Sequence, residues 1–367
     1  MKKIKKNILL NPGPVTTSLL VKKAQIVPDI CPREPEFGKI IKTICSDLTS
    51  FVASQKKYST ILFPGSGTSA VESIITSAIP RKKTILIINN GAYGKRIVEI
   101  AKKFNISYQE FKSSSIEEIN YKLLEQKIKL TRNVDYIALV HNETTTGLLN
   151  NLNKVKNLAQ KYKKNLIVDA MSSFGAIPIS MKKHRIAFLA ASSNKNIEGM
   201  PGISFVVADN NFLKKISKIK SKSYYLDLYE QYSFIKKNNQ MRFTPPVQVI
   251  YALKKAIELL KKEGVANRYK RYCKMWRVLT GGLKKIGQKY LVSDKFHSKI
   301  ITSIILDPKI DFNKMHDYFY KKKITIYPAK LDKPNAFRIA NIGQITISDI
   351  KYFLQLFKKY LKTQKVL

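Results

Sequence analysis

Through the middle of the chain, short apolar runs alternate with stretches whose apolar residues recur at helical spacing. Residues 85–89, 136–140, 165–169, 187–190 and 203–207 are short, rich in β-branched residues and non-alternating. That is the pattern of strands covered on both faces. Between them, residues 69–78, 95–104 and 152–162 carry the period of amphipathic helices. Strand–helix alternation predicts an α/β fold with a mostly parallel, doubly wound sheet. Near residue 248 the pattern changes. Residues 248–263 and 267–286 read as helices, and 300–306 and 324–327 as short strands. A last helix is expected over 348–362, with Ser348 as N-cap and Ile350, Phe353, Leu354, Phe357 and Leu361 on one face. This second part reads as a smaller α+β domain. The expected division is an N-terminal arm over 1–20, a large domain over 21–260 and a small domain over 261–367.

Composition narrows the class. A length of 367 residues suits two or three domains, and 44% hydrophobic content excludes wholesale disorder. No apolar run approaches the roughly 20 residues a membrane span needs. Residues 1–6 resemble the basic start of a signal peptide, but only Ile8, Leu9 and Leu10 follow before Asn11-Pro12-Gly13-Pro14. A signal core takes roughly 7–15 apolar residues. Cys31, Cys45 and Cys273 are too few and too scattered for a disulfide framework or a zinc knuckle. A soluble protein of the cytoplasm is expected, with no metal and no membrane partner.

The net charge of +42 invites a nucleic-acid reading. Yet 57 of the basic residues are lysines and only 10 are arginines, they form no single block, and no nucleic-acid motif is recognisable. Arginine is the residue of bidentate base and phosphate recognition. The charge therefore reads as lysine-rich solvated faces, with no specific nucleic acid as partner and a field that gathers anionic substrates. A nucleic-acid-binding protein on a dead enzyme fold is the rival that the charge supports.

Candidate chemistry lies where open α/β sheets bind ligands, at the carboxyl ends of strands. Gly65-Ser66-Gly67-Thr68-Ser69 follows the apolar residues 60–63 and opens a helix. Small residues there let a backbone approach an anion, and Ser66, Thr68 and Ser69 add hydroxyls. It is neither a Walker A loop nor a GxGxxG turn. Asp169 closes a strand, where a carboxylate can bind a metal, a ribose or a cationic ring nitrogen, or simply cap a loop. Lys195 follows an apolar run and precedes Gly199-Met200-Pro201-Gly202, a setting that can hold an amine in a cleft and make it nucleophilic. An anion cup, a strand-end carboxylate and a lysine 26 residues later are together the parts that pyridoxal phosphate needs.

Longer motifs sharpen this. They are Leu10-Asn-Pro-Gly-Pro-Val-Thr-Thr-Ser18, Asn90-Gly-Ala-Tyr-Gly94, His141-Asn-Glu-Thr-Thr-Thr-Gly147, Val168-Asp-Ala-Met-Ser-Ser-Phe-Gly175, Ser192-Ser-Asn-Lys195, Arg242-Phe-Thr-Pro245 and Phe337-Arg-Ile-Ala-Asn-Ile-Gly343. Over nearly its full length the chain resembles the class V, fold-type I aminotransferases, which use pyridoxal 5'-phosphate. The runs beginning at His141 and Val168 resemble the branch that moves the amino group of 2-aminoethylphosphonate to pyruvate. Alanine–glyoxylate and serine–glyoxylate enzymes are the nearest rivals within the family.

The resemblance implies roles residue by residue. Lys195 would be the Schiff-base lysine and proton shuttle, and Asp169 the partner of the ring nitrogen. Ser66, Gly67 and Thr68 would hold the cofactor phosphate, with Ser193 as a further contact. Tyr93 would stack on the ring and Thr144 would bond its phenolic oxygen. Thr244 would reach the phosphate bound to a neighbouring subunit, which implies a homodimer with a shared site. Arg338, and more loosely Arg33, would bind the substrate's anionic end. His141 would border the site, while His184, His297 and His316 read as packing or surface residues. Asn11, Ala329 and Ala340 depart from the family's usual Thr, Gly and Gly, which bears on substrate preference and rate rather than on reaction type.

Overall fold

The computed structural model describes residues 7–329 and 334–366, so the basic stretch 1–6 lies outside the described residues. Seven strands form the main sheet: β1 (Tyr58–Pro64), β2 (Thr84–Asn89), β3 (Tyr108–Lys112), β4 (Val134–Val140), β5 (Asn165–Asp169), β6 (Ile186–Ser192) and β7 (Ile203–Asp209). Their spatial order is β1-β7-β6-β5-β4-β2-β3. Neighbours run parallel except β7, which is antiparallel to both β1 and β6. β4, β5, β6 and β7 are buried almost throughout, as their unbroken apolar runs require. The order reverses between β2 and β4, which opens a crevice at the carboxyl edge.

Several elements go beyond the sequence expectation, among them an edge strand and a core helix. β3 is an edge strand of mixed exposure, Tyr-Gln-Glu-Phe-Lys, so it lacks the apolar signature of a covered strand. Helix Pro35–Ser50 places Phe37, Ile41, Ile44 and Leu48 in the core.

Buried apolar residues form two clusters. One gathers residues from Val21 to Leu260 around the seven-stranded sheet. The other joins Leu10 and Val15 to residues between Tyr272 and Leu361. Two long helices part company at Gly264. Val247–Glu263 gives Ile250, Leu253 and Leu260 to the first cluster. Val265–Lys285 gives Tyr272, Met275 and Leu279 to the second.

The second cluster lies on an antiparallel sheet of β8 (Ile301–Ile305), β9 (Tyr327–Pro328) and β10 (Ala336–Ala340), in the order β8-β10-β9. The single strand expected over 324–327 is two. Ile324–Thr325 pairs in parallel with Ile8–Leu9, while Tyr327–Pro328 pairs with β10. The two halves serve different neighbours, so the run cannot stay one strand.

The last helix also starts differently. It runs Ile347–Thr363 and its N-cap is Thr346, not Ser348. The Thr346 hydroxyl accepts the Asp349 N–H at 3.2 Å, and the Asp349 carboxylate accepts the Thr346 N–H at 2.8 Å. This reciprocal box satisfies two terminal N–H groups, which Ser348 inside the first turn cannot do. Thr346→Ala should cost about 1 kcal/mol of unfolding free energy and Thr346→Ser much less, as read by denaturant titration.

Candidate active site

The carboxyl ends of β1, β2, β4, β5 and β6 meet at one edge of the sheet. There a cavity of about 410 Å³ is lined by the loop after β1, by Tyr93 and Arg96, by Asp169 and Met171, and by Ser192, Asn194 and Lys195. Ser66 is the N-cap of helix Gly67–Ala78 and makes no side-chain cap bond. The first N–H groups of a helix have no intrahelical acceptor, and here they border the cavity. At Gly67 the wall is close: an added Cβ would run into Met171 Sδ, and the Met171 side chain would have to shift. The Ser69 hydroxyl is not part of this cup. It donates to the Ser66 carbonyl at 2.7 Å and lies 2.7 Å from Ser204 Oγ, back toward the sheet.

Asp169 ends β5 and is 6% exposed. One carboxylate oxygen accepts the Met171 N–H at 2.9 Å, and the other has no hydrogen-bond partner among the described residues. Burial pushes its pKa up, against the Met171 N–H and the charges of Lys195 and Arg96. A buried carboxylate with one oxygen facing a cavity fits a cationic ring nitrogen. With the phosphate cup at one end and Lys195 in the same cavity, the donor set fits pyridoxal 5'-phosphate.

Lys195 Nζ donates to Ser172 Oγ at 3.0 Å and lies 5.4 Å from the Tyr93 ring centre. Its pKa is lowered to about 8, chiefly by exclusion from water, with Arg338 and Arg96 adding to the drop and Asp169 and Glu143 opposing it. A large fraction is therefore neutral amine near pH 8, which is the nucleophilic form. Thr144 Oγ1 lies 2.5 Å from Ser172 Oγ, so Thr144, Ser172 and Lys195 form one polar chain.

Arg338, on β10, is 2% exposed. It donates through Nε to the Pro328 carbonyl at 3.0 Å and through Nη1 to the Thr144 carbonyl at 3.3 Å. It has no carboxylate partner among the described residues, and burial lowers its pKa. Glu143 acts on it through its charge, but no carboxylate among the described residues hydrogen-bonds to it, so an incoming anion can pair with it.

Not every expected residue is here. Ser193 is fully buried, and its hydroxyl donates to the Met200 carbonyl at 2.5 Å and the Ile203 carbonyl at 3.1 Å. Ser192 lines the cavity instead. Successive residues leaving a strand point to opposite sides, so only one of the two serines can face it. Arg33 is exposed and does not line the cavity. Its guanidinium donates to the Met241 carbonyl at 2.6 Å and the Arg242 carbonyl at 3.2 Å. It ties down the segment that carries Thr244, which is itself exposed. His141 is buried behind β5, where its N–H donates to the Asp169 carbonyl at 2.8 Å. It lines a separate cavity with His184.

Other residues enter only with the structure. Arg96 lies three residues beyond Tyr93 on helix Ala92–Lys103, on the same face. Its guanidinium sits 4.7 Å from the Tyr93 ring centre and donates to Thr68 Oγ1 at 3.3 Å. Its rarity among 57 lysines was the one signal in the sequence. Glu143 is fully buried and accepts the N–H groups of Tyr93 at 3.3 Å and Thr145 at 3.1 Å, and the Thr145 hydroxyl. It thereby fixes the Tyr93 turn to the Thr144 turn.

A charged network lies behind Lys195. Arg268 Nη1 donates to the Asn196 carbonyl at 2.6 Å, and its Nε donates to Glu263 at 2.7 Å. Arg271 bridges Glu263 at 2.6 Å, Glu198 at 2.9 Å and the Gly343 carbonyl at 2.9 Å. The Tyr272 hydroxyl donates to Glu198 at 2.6 Å and accepts the Gly343 N–H at 3.1 Å.

Known proteins resemble this chain throughout. The family model for aminotransferase class-V matches residues 24–326. A 2-aminoethylphosphonate–pyruvate transaminase of Bacillus mycoides (strain KBAB4) is 39% identical over 347 residues, which is 94% of each chain. A protein of the same description from Bacillus cereus (strain Q1) is 38% identical over the same share. Among solved structures, an alanine–glyoxylate aminotransferase from Nostoc sp. superposes with a TM-score of 0.92 at 23% identity, covering 98% of this chain and 96% of that one.

Two outcomes follow from the geometry. Arg96→Ala should weaken retention of pyridoxal 5'-phosphate by roughly tenfold to a hundredfold, the range for losing a charge-assisted bond, as read by cofactor titration. Because the neutral amine is the reactive form, acylation of Lys195 in the cofactor-free protein should rise with pH through a midpoint near 8 and level off above it. A midpoint near that of an ordinary lysine, followed by mass spectrometry, would contradict this account.

Proposed function

The chain belongs to the class V aminotransferases, and from that membership we propose that it moves the amino group of 2-aminoethylphosphonate to pyruvate, giving phosphonoacetaldehyde and L-alanine. Its cofactor is pyridoxal 5'-phosphate. The observation that carries the reading is Arg338, a buried guanidinium with no carboxylate partner among the described residues, whose charge is felt at Lys195. Both amino donor and amino acceptor carry an anion at one end. One arginine can hold the phosphonate of the first and then the carboxylate of the second, so the two substrates take turns in a ping-pong order.

When bound, the cofactor supplies an aldehyde that takes up the donor's amine and a ring that accepts an electron pair. The chain's residues do the rest. The N–H groups at Gly67 and Thr68, with Arg96 beside them, hold the phosphate. Asp169 keeps the ring nitrogen protonated. Tyr93 would pack against the ring face, and Thr144 Oγ1 would hydrogen-bond the phenolic oxygen. Lys195 Nζ takes a proton from the donor's amine-bearing carbon, holds it, and returns it to the carbon that was the aldehyde. Arg338 fixes the donor's far end so that this carbon meets Nζ.

The proposal extends to assembly. Thr244 is exposed beside Tyr224, which is 77% exposed, and Tyr225, whose ring stacks on Phe243 at 5.0 Å. An exposed aromatic ridge supports a homodimer in which Thr244 reaches the phosphate held by the partner subunit. A cytoplasmic enzyme fits this reading; no helix among the described residues is long and apolar enough to cross a membrane. The division into an arm over 1–20, a large domain over 21–260 and a small domain over 261–367 is proposed on the same footing, with Gly264 between the two helices.

The test is the colour of the cofactor-loaded protein. Aminoethylphosphonate alone should discharge the yellow form, and pyruvate should restore it. Arg338→Ala should raise KM for both partners roughly thirtyfold or more, because a buried charged contact is lost. A protein that exchanges with alanine or serine and glyoxylate, and ignores aminoethylphosphonate, would belong to the glyoxylate branch instead.

A further inference from the structure

Lys195 must hold a proton during the reaction and must also be free to give it up. Its amine has one hydrogen-bond partner among the described residues, Ser172 Oγ, at 3.0 Å. Asp169 and Glu143 act on it through their charge, and Tyr93 through its ring face. Ser172 is 3% exposed and Thr144 1%, so water does not compete for either hydroxyl. The backbone of Ser172 is anchored independently of its side chain. Its carbonyl accepts from Asn196 Nδ2 at 3.0 Å and from Asn142 Nδ2 at 3.4 Å. The hydroxyl is therefore placed by the fold, and beyond Lys195 its one partner among the described residues is Thr144 Oγ1 at 2.5 Å.

We propose that Ser172 is a further catalytic residue, whose hydroxyl holds the Lys195 amine in both of its protonation states whenever that amine is released from the cofactor. The inference rests on the reading of Lys195 as the proton carrier. Its chemistry is a rotation of two O–H bonds. A hydroxyl both donates and accepts. Beside the neutral amine, Ser172 donates to Nζ and Thr144 donates to Ser172. For the donor's C–H bond to break, the Ser172 O–H first turns from Nζ to Thr144 and the amine turns its freed lone pair toward that carbon; the lone pair takes the proton, and the C–H electron pair stays with the carbon, where the bound cofactor would accept it. Nζ then donates to Ser172 Oγ, and Ser172 donates to Thr144. No heavy atom needs to move, so Nζ stays in place between taking the proton and returning it.

Ammonium accepts more help from an oxygen acceptor than amine does, because bonds to charged groups are the stronger ones. Ser172 therefore also keeps the Lys195 pKa from falling further in its dry surroundings.

The experiment uses protein loaded with the amine form of the cofactor, in which Lys195 is released. The pH midpoint of Lys195 acylation is measured by mass spectrometry. The deuterium effect at the donor's amine-bearing carbon is measured alongside, in the aldehyde-loaded protein. Ser172→Ala should lower the midpoint by about one pH unit, the scale of one charge-assisted bond. It should also raise the deuterium effect, with cofactor content unchanged. Ser172→Thr, which keeps the hydroxyl, should restore both. An unchanged midpoint in Ser172→Ala overturns the proposal, even where activity falls, because a merely structural role would not move it. Failure of the underlying reading is distinct: it would show as turnover by Lys195→Ala, whatever Ser172 does.

Discussion

The site depends on holding Lys195 at a fixed distance from Arg338, although the two belong to different cores. The buried network around Glu198 supplies that constraint. The Lys195 turn ends in Glu198, whose N–H returns to the Lys195 carbonyl at 2.8 Å. Glu198 is gripped by Arg271 and Tyr272 from the long helix and by Gln344 from the segment after β10. Removing one partner from such a buried ionic group typically costs about 3–5 kcal/mol, while the intact group adds little net stability over apolar packing. Its worth here is register. Lys195 precedes Glu198 by three residues and Arg338 precedes Gly343 by five, so one clamp indexes both.

How much of this was legible beforehand follows the physics of each signal. The covered strands could be read because a strand buried on both faces must be apolar throughout. Edge strand β3 could not, because half of it faces water. Asp169 and Lys195 stood out because a charge beside an apolar run needs a reason. Ser193 and Ser192 could not be told apart, because the side a residue faces at a strand's end is set by the exact exit of the chain. Arg33, Arg96 and Glu198 act through partners distant in sequence, and no local pattern carries that information. The cap at Thr346 was within reach, since a threonine followed three residues later by aspartate is a capping pattern, but Ser348 lay nearer the apolar face.

The charge takes on a different meaning once the partners are known. Arg33, Arg96, Arg242, Arg268, Arg271 and Arg338 all donate side-chain hydrogen bonds to oxygens within the chain. Six of the 10 arginines are thus fastened; Arg268 and Arg338 are buried, Arg96 lines the cavity, and Arg33 and Arg242 hold surface segments, uses that suit a rigid fork of donors. The lysines that have ion-pair partners hold them mostly at the surface. The overall +42 is largely a lysine surface, and of all these basic residues Lys195 and Arg96 line the cavity.

The segment around Gly13 closes the wall beside Lys195. Its φ of +139° suits glycine, and a Cβ there would come within 3.1 Å of Lys195 Cγ. That segment is held by residues far later in the chain: Ile8 and Leu9 pair with Ile324 and Thr325, and the Leu10 carbonyl accepts the Ala340 N–H at 2.7 Å. During synthesis residues 8–10 therefore meet these partners only after about 300 further residues have been made. The seven-stranded sheet can form around Asp169 and Lys195 well before then. Its lysine gains its enclosing wall and its companion arginine in the same late docking event, so an unfinished chain offers an open lysine with no arginine opposite it.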